Sequence, residues 1–89
     1  TIEERLKTLL EAVEGLGIEL RREALAGGGG LCTLRGRRVL FLDTSGDPFT
    51  AYEMTIAAVC TLAELDGVHL PPALREDIDR ARDESPPSP

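Results

Sequence analysis

The sequence predicts a small α+β domain in the order α-β-β-β-α-α, with a three-stranded antiparallel sheet packed against a central helix. Three observations predict it. Ile2, Leu6, Leu9, Leu10, Val13 and Leu16 recur at helical spacing, Gly36 sits between a short alternating run and the apolar run Val39–Leu42, and Asp47-Pro48 opens a long apolar stretch. Residues 1–84 read as a single domain and 85–89 as a disordered or extended Pro/Ser-rich tail.

In chain order, Thr1 with Glu4 three residues later has the form of a capping box for the first helix. Gly15 and Gly17 end that helix, and Gly17 is the better left-handed cap. Ile18 and Leu20 then alternate with Glu19 and Arg21 as a first strand. The glycine run 27–30 leads into a second strand, in which Cys32 and Leu34 alternate with Thr33 and Arg35, so both are expected to point inward. Gly36 supplies the positive φ of a tight hairpin turn. Val39, Leu40, Phe41 and Leu42 carry no polar side chain, which suits a central or doubly covered strand.

Asp47 is the expected N-cap and Pro48 the first residue of a second helix that should reach about Leu65 and close at Asp66-Gly67. Its line Thr50, Glu53, Ala57, Thr61 and Glu64 is narrow, and apolar or small residues fill the remaining roughly 240° of the circumference. One sheet cannot cover so apolar a helix. Burial between the sheet and other helices is therefore expected, with a homodimer through helix 48–65 making up any shortfall and Ala51, Thr55 and Ala58 allowing close approach. Pro71-Pro72 precedes a thin stripe, Leu74, Ile78 and Ala81, on a third helix.

Charge narrows the function. The chain carries a formal net charge of −6, which disfavours general binding to nucleic acid or anionic membranes. Residues 20–40 hold five arginines against one glutamate, net +4, leaving −10 elsewhere. A basic hairpin in an acidic protein can receive an anionic ligand, an acidic protein or the acidic face of a second copy. The same arginines can instead pair with Glu3, Glu4, Glu11 and Glu14 of the first helix. Two cysteines, no leader pattern and no apolar run approaching about 20 residues lead to the expectation of a soluble cytoplasmic protein.

Chemistry-bearing motifs are sparse. Consecutive glycines can form an anion-binding nest, yet a phosphate loop leads into a helix with Lys and Ser or Thr at fixed offsets, whereas Gly30 leads into Leu31-Cys32 and a strand. Cys32, Cys60, His69 and Asp43 lack the paired spacing of a zinc site. Cys60 reads as a core residue, while Cys32, close to Arg35, has the better claim to reactivity. No nucleophile elbow is present, and there is no second histidine to complete a hydrolase.

The segment Gly29-Gly30-Leu31-Cys32, the Leu34-Arg35-Gly36 turn and the apolar strand resemble short bacterial proteins with a Gly-Gly-x-Cys segment before such a hairpin, a resemblance that implies no particular activity. More distantly, the order of helix, three strands and a helix after Asp-Pro resembles the minimal core of the ImmA/IrrE-type metallopeptidases. In that family the helix after the sheet carries a zinc-binding HExxH. Here Tyr52-Glu53-Met54-Thr55-Ile56 falls at that place, Glu53 alone matches, and Tyr52 and Ile56 stand at the ligand positions. The resemblance thus implies the topology without the zinc chemistry.

The expectation is a non-enzymatic interaction or regulatory module that self-associates and receives an acidic protein at the hairpin. Gly28, Gly29, Gly30, Cys32, Arg35, Arg37 and Arg38 are the expected contacts, with no catalytic residue, metal or cofactor. The alternative is an anionic small-molecule binder or small enzyme using the glycine loop, Cys32 and the hairpin arginines.

Overall fold

The computed structural model describes residues 1–24 and 29–84, so the tail 85–89 and Gly28 lie outside the described residues. The element order is α1 (Ile2–Gly15), β1 (Glu19–Glu23), β2 (Gly30–Leu34), β3 (Arg37–Asp43), α2 (Pro48–Val59), a 3-10 turn (Ala63–Gly67) and α3 (Pro72–Glu84). This is the expected α+β order.

Local signals acted as chemistry demands. The Thr1 hydroxyl accepts from the Glu4 amide at 3.2 Å, and Gly17 takes φ +85° just beyond the end of α1. Asp47 caps α2 through a 2.7 Å bond from the Thr50 amide to its carboxylate, and Pro48 sits where no amide donor is needed.

The sheet is mixed, where a wholly antiparallel one was expected. Its order is β1-β3-β2; β2 and β3 form the antiparallel hairpin, but β1 runs parallel to β3, with Glu19 opposite Val39 and Glu23 opposite Asp43. The chain leaves β1 and enters β2 at the same end of the central strand, on opposite sides of it, so β1 and β3 share a direction. Side-chain alternation carries no information about this, since it is the same for either direction of pairing.

The helices lie on one face of the sheet. Leu20, Leu31, Leu40 and Leu42 point toward them and join Leu9, Leu10, Val13, Tyr52, Ile56, Val59, Leu74 and Ile78 in one core. Within this layer α2 is central, touching α1, α3, β2 and β3. Tyr52, Thr55, Ile56 and Val59 are buried while Thr50, Glu53, Ala57, Thr61 and Glu64 are exposed, so the narrow outer line read from the sequence is correct. One chain thus covers most of the apolar arc on which the dimer argument rested. Ala51 and Thr55 pack inward, the Thr55 hydroxyl donating to the Ala51 carbonyl at 2.7 Å.

α2 is shorter than expected, ending at Val59 rather than near Leu65. Tertiary hydrogen bonds account for the early stop. Arg82 of α3 donates from Nε to the Cys60 carbonyl and from Nη2 to the Leu62 carbonyl at 3.1 Å, and Arg75 donates to the Leu65 and Val68 carbonyls at 2.9 and 2.7 Å. Arg82 thereby satisfies the carbonyl of the C-cap residue Cys60 and complements the negative end of the α2 dipole, while the Leu62, Leu65 and Val68 carbonyls belong to the turn beyond it. The propensity of Leu62-Ala63-Glu64-Leu65 for helix is overridden from outside the segment.

α1, α2 and α3 are also joined by a polar network. The Tyr52 hydroxyl donates to Asp77 Oδ2 at 2.5 Å, Arg5 Nη1 donates to the same oxygen at 3.0 Å, and the Arg5 guanidinium lies 5.8 Å from the Tyr52 ring centre. Burial first, and then the bond to the Asp77 carboxylate, push the Tyr52 phenol well above its ordinary range, against the opposing pull of Arg5.

Candidate functional site

The hairpin that the sequence singles out is closed by a two-residue turn with both residues at positive φ, Arg35 at 53° and Gly36 at 79°. That pair of values is a type I′ turn, whose twist matches the strands it joins. Glycine serves at Gly36; Arg35 takes the same left-handed conformation with a Cβ and so holds its side chain at the tip of the hairpin.

Register decides which predicted residues belong together. Residues paired across the ladder share a face, which puts Leu34, Cys32 and Gly30 of β2 beside Arg37, Val39 and Phe41 of β3 and Glu19 and Arg21 of β1. This is the outer face, opposite the helices. Leu34 is 44% exposed, Cys32 is exposed and Phe41 half-buried.

The inward placement expected for Cys32 and Leu34 is therefore corrected: Leu31 packs on the core and both of its alternating partners point out. A strand of alternating character offers two registers, and here the larger core, containing Leu40 opposite Leu31, selects the other one.

The arginines separate as well. Arg37 lies on the outer face with its side chain 79% exposed. Arg38 points to the helix side and grips Glu64 through two bonds of 2.9 and 2.6 Å, with a longer one of 3.5 Å to the Leu16 carbonyl. It ties the strand to the turn after α2 and belongs to the scaffold. The hydrogen bond from Arg38 holds the Glu64 carboxyl below its usual range.

The pairing expected with the glutamates of the first helix is not what forms. Glu19 accepts from Arg21 Nε at 2.5 Å and stands 3.9 Å from Arg37, and the Arg21 bond lowers its carboxyl pKa. Arg22 lines an open groove of about 310 Å³ with Glu3, Glu11 and Glu14 without an ion pair, and Arg35 makes none among the described residues.

Of the described glycines of the run, Gly29 plays a steric part, while Gly30, at φ +138° with open space where a Cβ would sit, plays a conformational one. A Cβ on Gly29 would come within 3.2 Å of the Phe41 carbonyl oxygen and 3.6 Å of Met54 Cε, so a side chain there would require the β3 backbone to give by a few tenths of an ångström. The cavity that Gly29 and Gly30 share with Phe41, Asp43, Gly46 and Thr50 measures about 20 Å³, space for about one water.

Cys60 is fully buried at the end of α2, apart in burial from exposed Cys32, and among the described residues no three of His, Cys, Asp or Glu gather at one point. On α2, Tyr52 and Ile56 are buried and Glu53 is exposed. No helix among the described residues is long and apolar enough to cross a membrane.

Sequence reasoning missed the Arg5–Tyr52–Asp77 network and the carbonyl-capping roles of Arg75 and Arg82. Asp77 follows Leu74 by three positions and precedes Ile78, which places it at the border of the buried stripe of α3, and an acid at such a border calls for a partner. Fold and surface together define an α+β domain whose mixed sheet has one face that none of the described helices covers. No family model, curated protein or solved structure matches the chain.

Proposed function

We propose that this chain is a protein-interaction module that works through the outer face of the β2–β3 hairpin and takes an acidic partner with apolar side chains. One observation carries the reading: exposed Leu34 and Cys32 and half-buried Phe41 lie around buried Val39 as an apolar strip on a sheet face that no described helix covers, and Arg35 and Arg37 stand beside it. Exposed apolar area bordered by charge is the composition of a recognition surface.

The strip supplies desolvation, and the two arginines supply steering and register for an acidic sequence. Arg38 drops out of the contact set because Glu64 and the Leu16 carbonyl occupy it. Gly29 and Gly30 line a cavity of about 20 Å³ and, beside it, an open groove of about 330 Å³ whose other residues, Leu31, Met54, Ala57 and Ala58, carry no cation, a lining that suits an apolar contact better than an anionic metabolite. Two free thiols accord with a cytoplasmic setting.

The test compares affinity capture by the wild-type chain with capture by the Arg35→Glu/Arg37→Glu variant, with circular dichroism as a control for folding. Partners that disappear on charge reversal are the expected result. A captured set that the reversal leaves unchanged removes the hairpin from the function.

A further inference from the structure

The two edges of the sheet are unlike. The β1 edge reads Glu19-Leu20-Arg21-Arg22-Glu23, with charges at four of five positions, the usual protection against pairing with another strand. The β2 edge reads Gly30-Leu31-Cys32-Thr33-Leu34 and has neither a charge nor a proline. In the hairpin, Leu34 and Arg37 flank the two-residue turn, so Leu34, Cys32 and Gly30 turn their backbone groups toward β3. Leu31 and Thr33 consequently direct their amides and carbonyls away from the sheet, along an edge that no described strand pairs with.

Resting on the interaction-module reading, we infer that this edge pairs antiparallel with β2 of a second copy of the same chain, joining two three-stranded sheets into one of six strands about a two-fold axis at Cys32.

The register follows from which groups are free. Outward-facing residues must pair with outward-facing residues, and Leu31 opposite Thr33 of the second copy is the arrangement that uses all of β2. Leu34, exposed in one chain, then lies over Gly30 of the other and against its half-buried Phe41, where the missing glycine side chain leaves room.

Charge selects the antiparallel direction. The turn end of the hairpin is net basic, with Arg35 and Arg37 beside Glu19, and the opposite end is net acidic, with Glu23 and Asp43 beside Arg22 in the sheet and Asp47 just after it. Antiparallel pairing sets unlike ends side by side, whereas parallel pairing sets like ends together. Beneath the edge, a groove of about 330 Å³ lined by Gly29, Gly30, Leu31, Met54, Ala57 and Ala58 faces the same groove of the second copy, and the two alanines allow the α2 helices to approach. The contacting part of α2 is thus Met54–Ala58, in place of the Ala51–Thr55 side.

At the axis the two Cys32 residues form a non-hydrogen-bonded pair with Cα atoms about 4.5 Å apart, a spacing that a disulfide can bridge. Mild oxidation with copper phenanthroline, followed by non-reducing electrophoresis, is expected to give a covalent dimer from the wild-type chain and none from Cys32→Ser. Thr33→Pro removes an outward amide without touching the β2–β3 ladder. In sedimentation at tens of micromolar it is expected to turn a dimer into a monomer, weakening association by at least about tenfold.

If Thr33→Pro does not fold by circular dichroism, Leu34→Lys, at a position already exposed, takes its place with the same expected result. A wild-type monomer at this concentration, or a dimer indifferent to both variants and not cross-linked through Cys32, overturns the inference. A monomer that still loses captured partners on Arg35→Glu/Arg37→Glu overturns self-pairing alone and leaves the hairpin reading standing. A dimer whose captured set ignores that reversal does the opposite.

Discussion

The Tyr52–Asp77 bond offers a direct measurement, because Tyr52 is the sole tyrosine and the chain has no tryptophan, so near-ultraviolet tyrosinate absorbance reports on this one group. Tyr52 is 2% exposed, and its hydroxyl meets a carboxylate also bound by Arg5. A hydrogen bond to a charged acceptor contributes about 1.5–3 kcal/mol. Tyr52→Phe leaves Asp77 with Arg5 and Arg80, so the lower end applies, about 1.5 kcal/mol, or roughly 6–12 °C in Tm for a chain of this size.

Asp77→Ala is costlier, since it strands a buried hydroxyl and removes the partner of Arg5. The double-mutant cycle should show a coupling of about 1 kcal/mol or more. The folded state holds the Tyr52 proton beyond the ordinary value of 10.0 while the unfolded chain releases it there. Stability from this group is therefore complete below pH 10.0 and falls above it, by about 1.4 kcal/mol per pH unit, a slope that Tyr52→Phe abolishes. Tyrosinate appearing with a midpoint near the ordinary value while circular dichroism remains native, or a Tyr52→Phe variant as stable as wild type, would refute the reasoning.

Two further outcomes follow from the arginines. Arg82 uses Nε, Nη1 and Nη2 at once, on the Cys60 carbonyl, Asp66 and the Leu62 carbonyl, a fork that lysine cannot reproduce. Arg82→Lys should lower Tm by roughly 4–16 °C in calorimetry, the equivalent of about 1–2 kcal/mol, and an unchanged Tm would show that solvent caps α2 equally well. Arg38→Glu should depress Tm clearly more than Arg37→Glu, because it breaks the Glu64 grip and sets two acids together, whereas Arg37 stands 79% exposed at 3.9 Å from its nearest acid. Equal effects in parallel thermal melts would mean that Arg38 does not tie the strand to the turn.

What the sequence by itself determined is local. The Thr1 and Asp47 caps, the Gly17 stop, the Arg35-Gly36 turn and the exposed line of α2 each depend on residues within a few positions of one another, where backbone sterics and short hydrogen bonds decide. The tertiary structure alone decided the rest. Parallel pairing of β1, the outward face of Cys32 and Leu34, the end of α2 at Arg82 and the parting of Arg38 from Arg37 all turn on partners in other elements of the fold. Alternation assigns side chains to two faces without saying which is inner, and a helix end is free or satisfied according to what packs beside it. The candidate surface was legible as a basic hairpin; its apolar strip and its β2 edge emerged only when the core claimed Leu31 and turned Cys32 and Leu34 toward solvent.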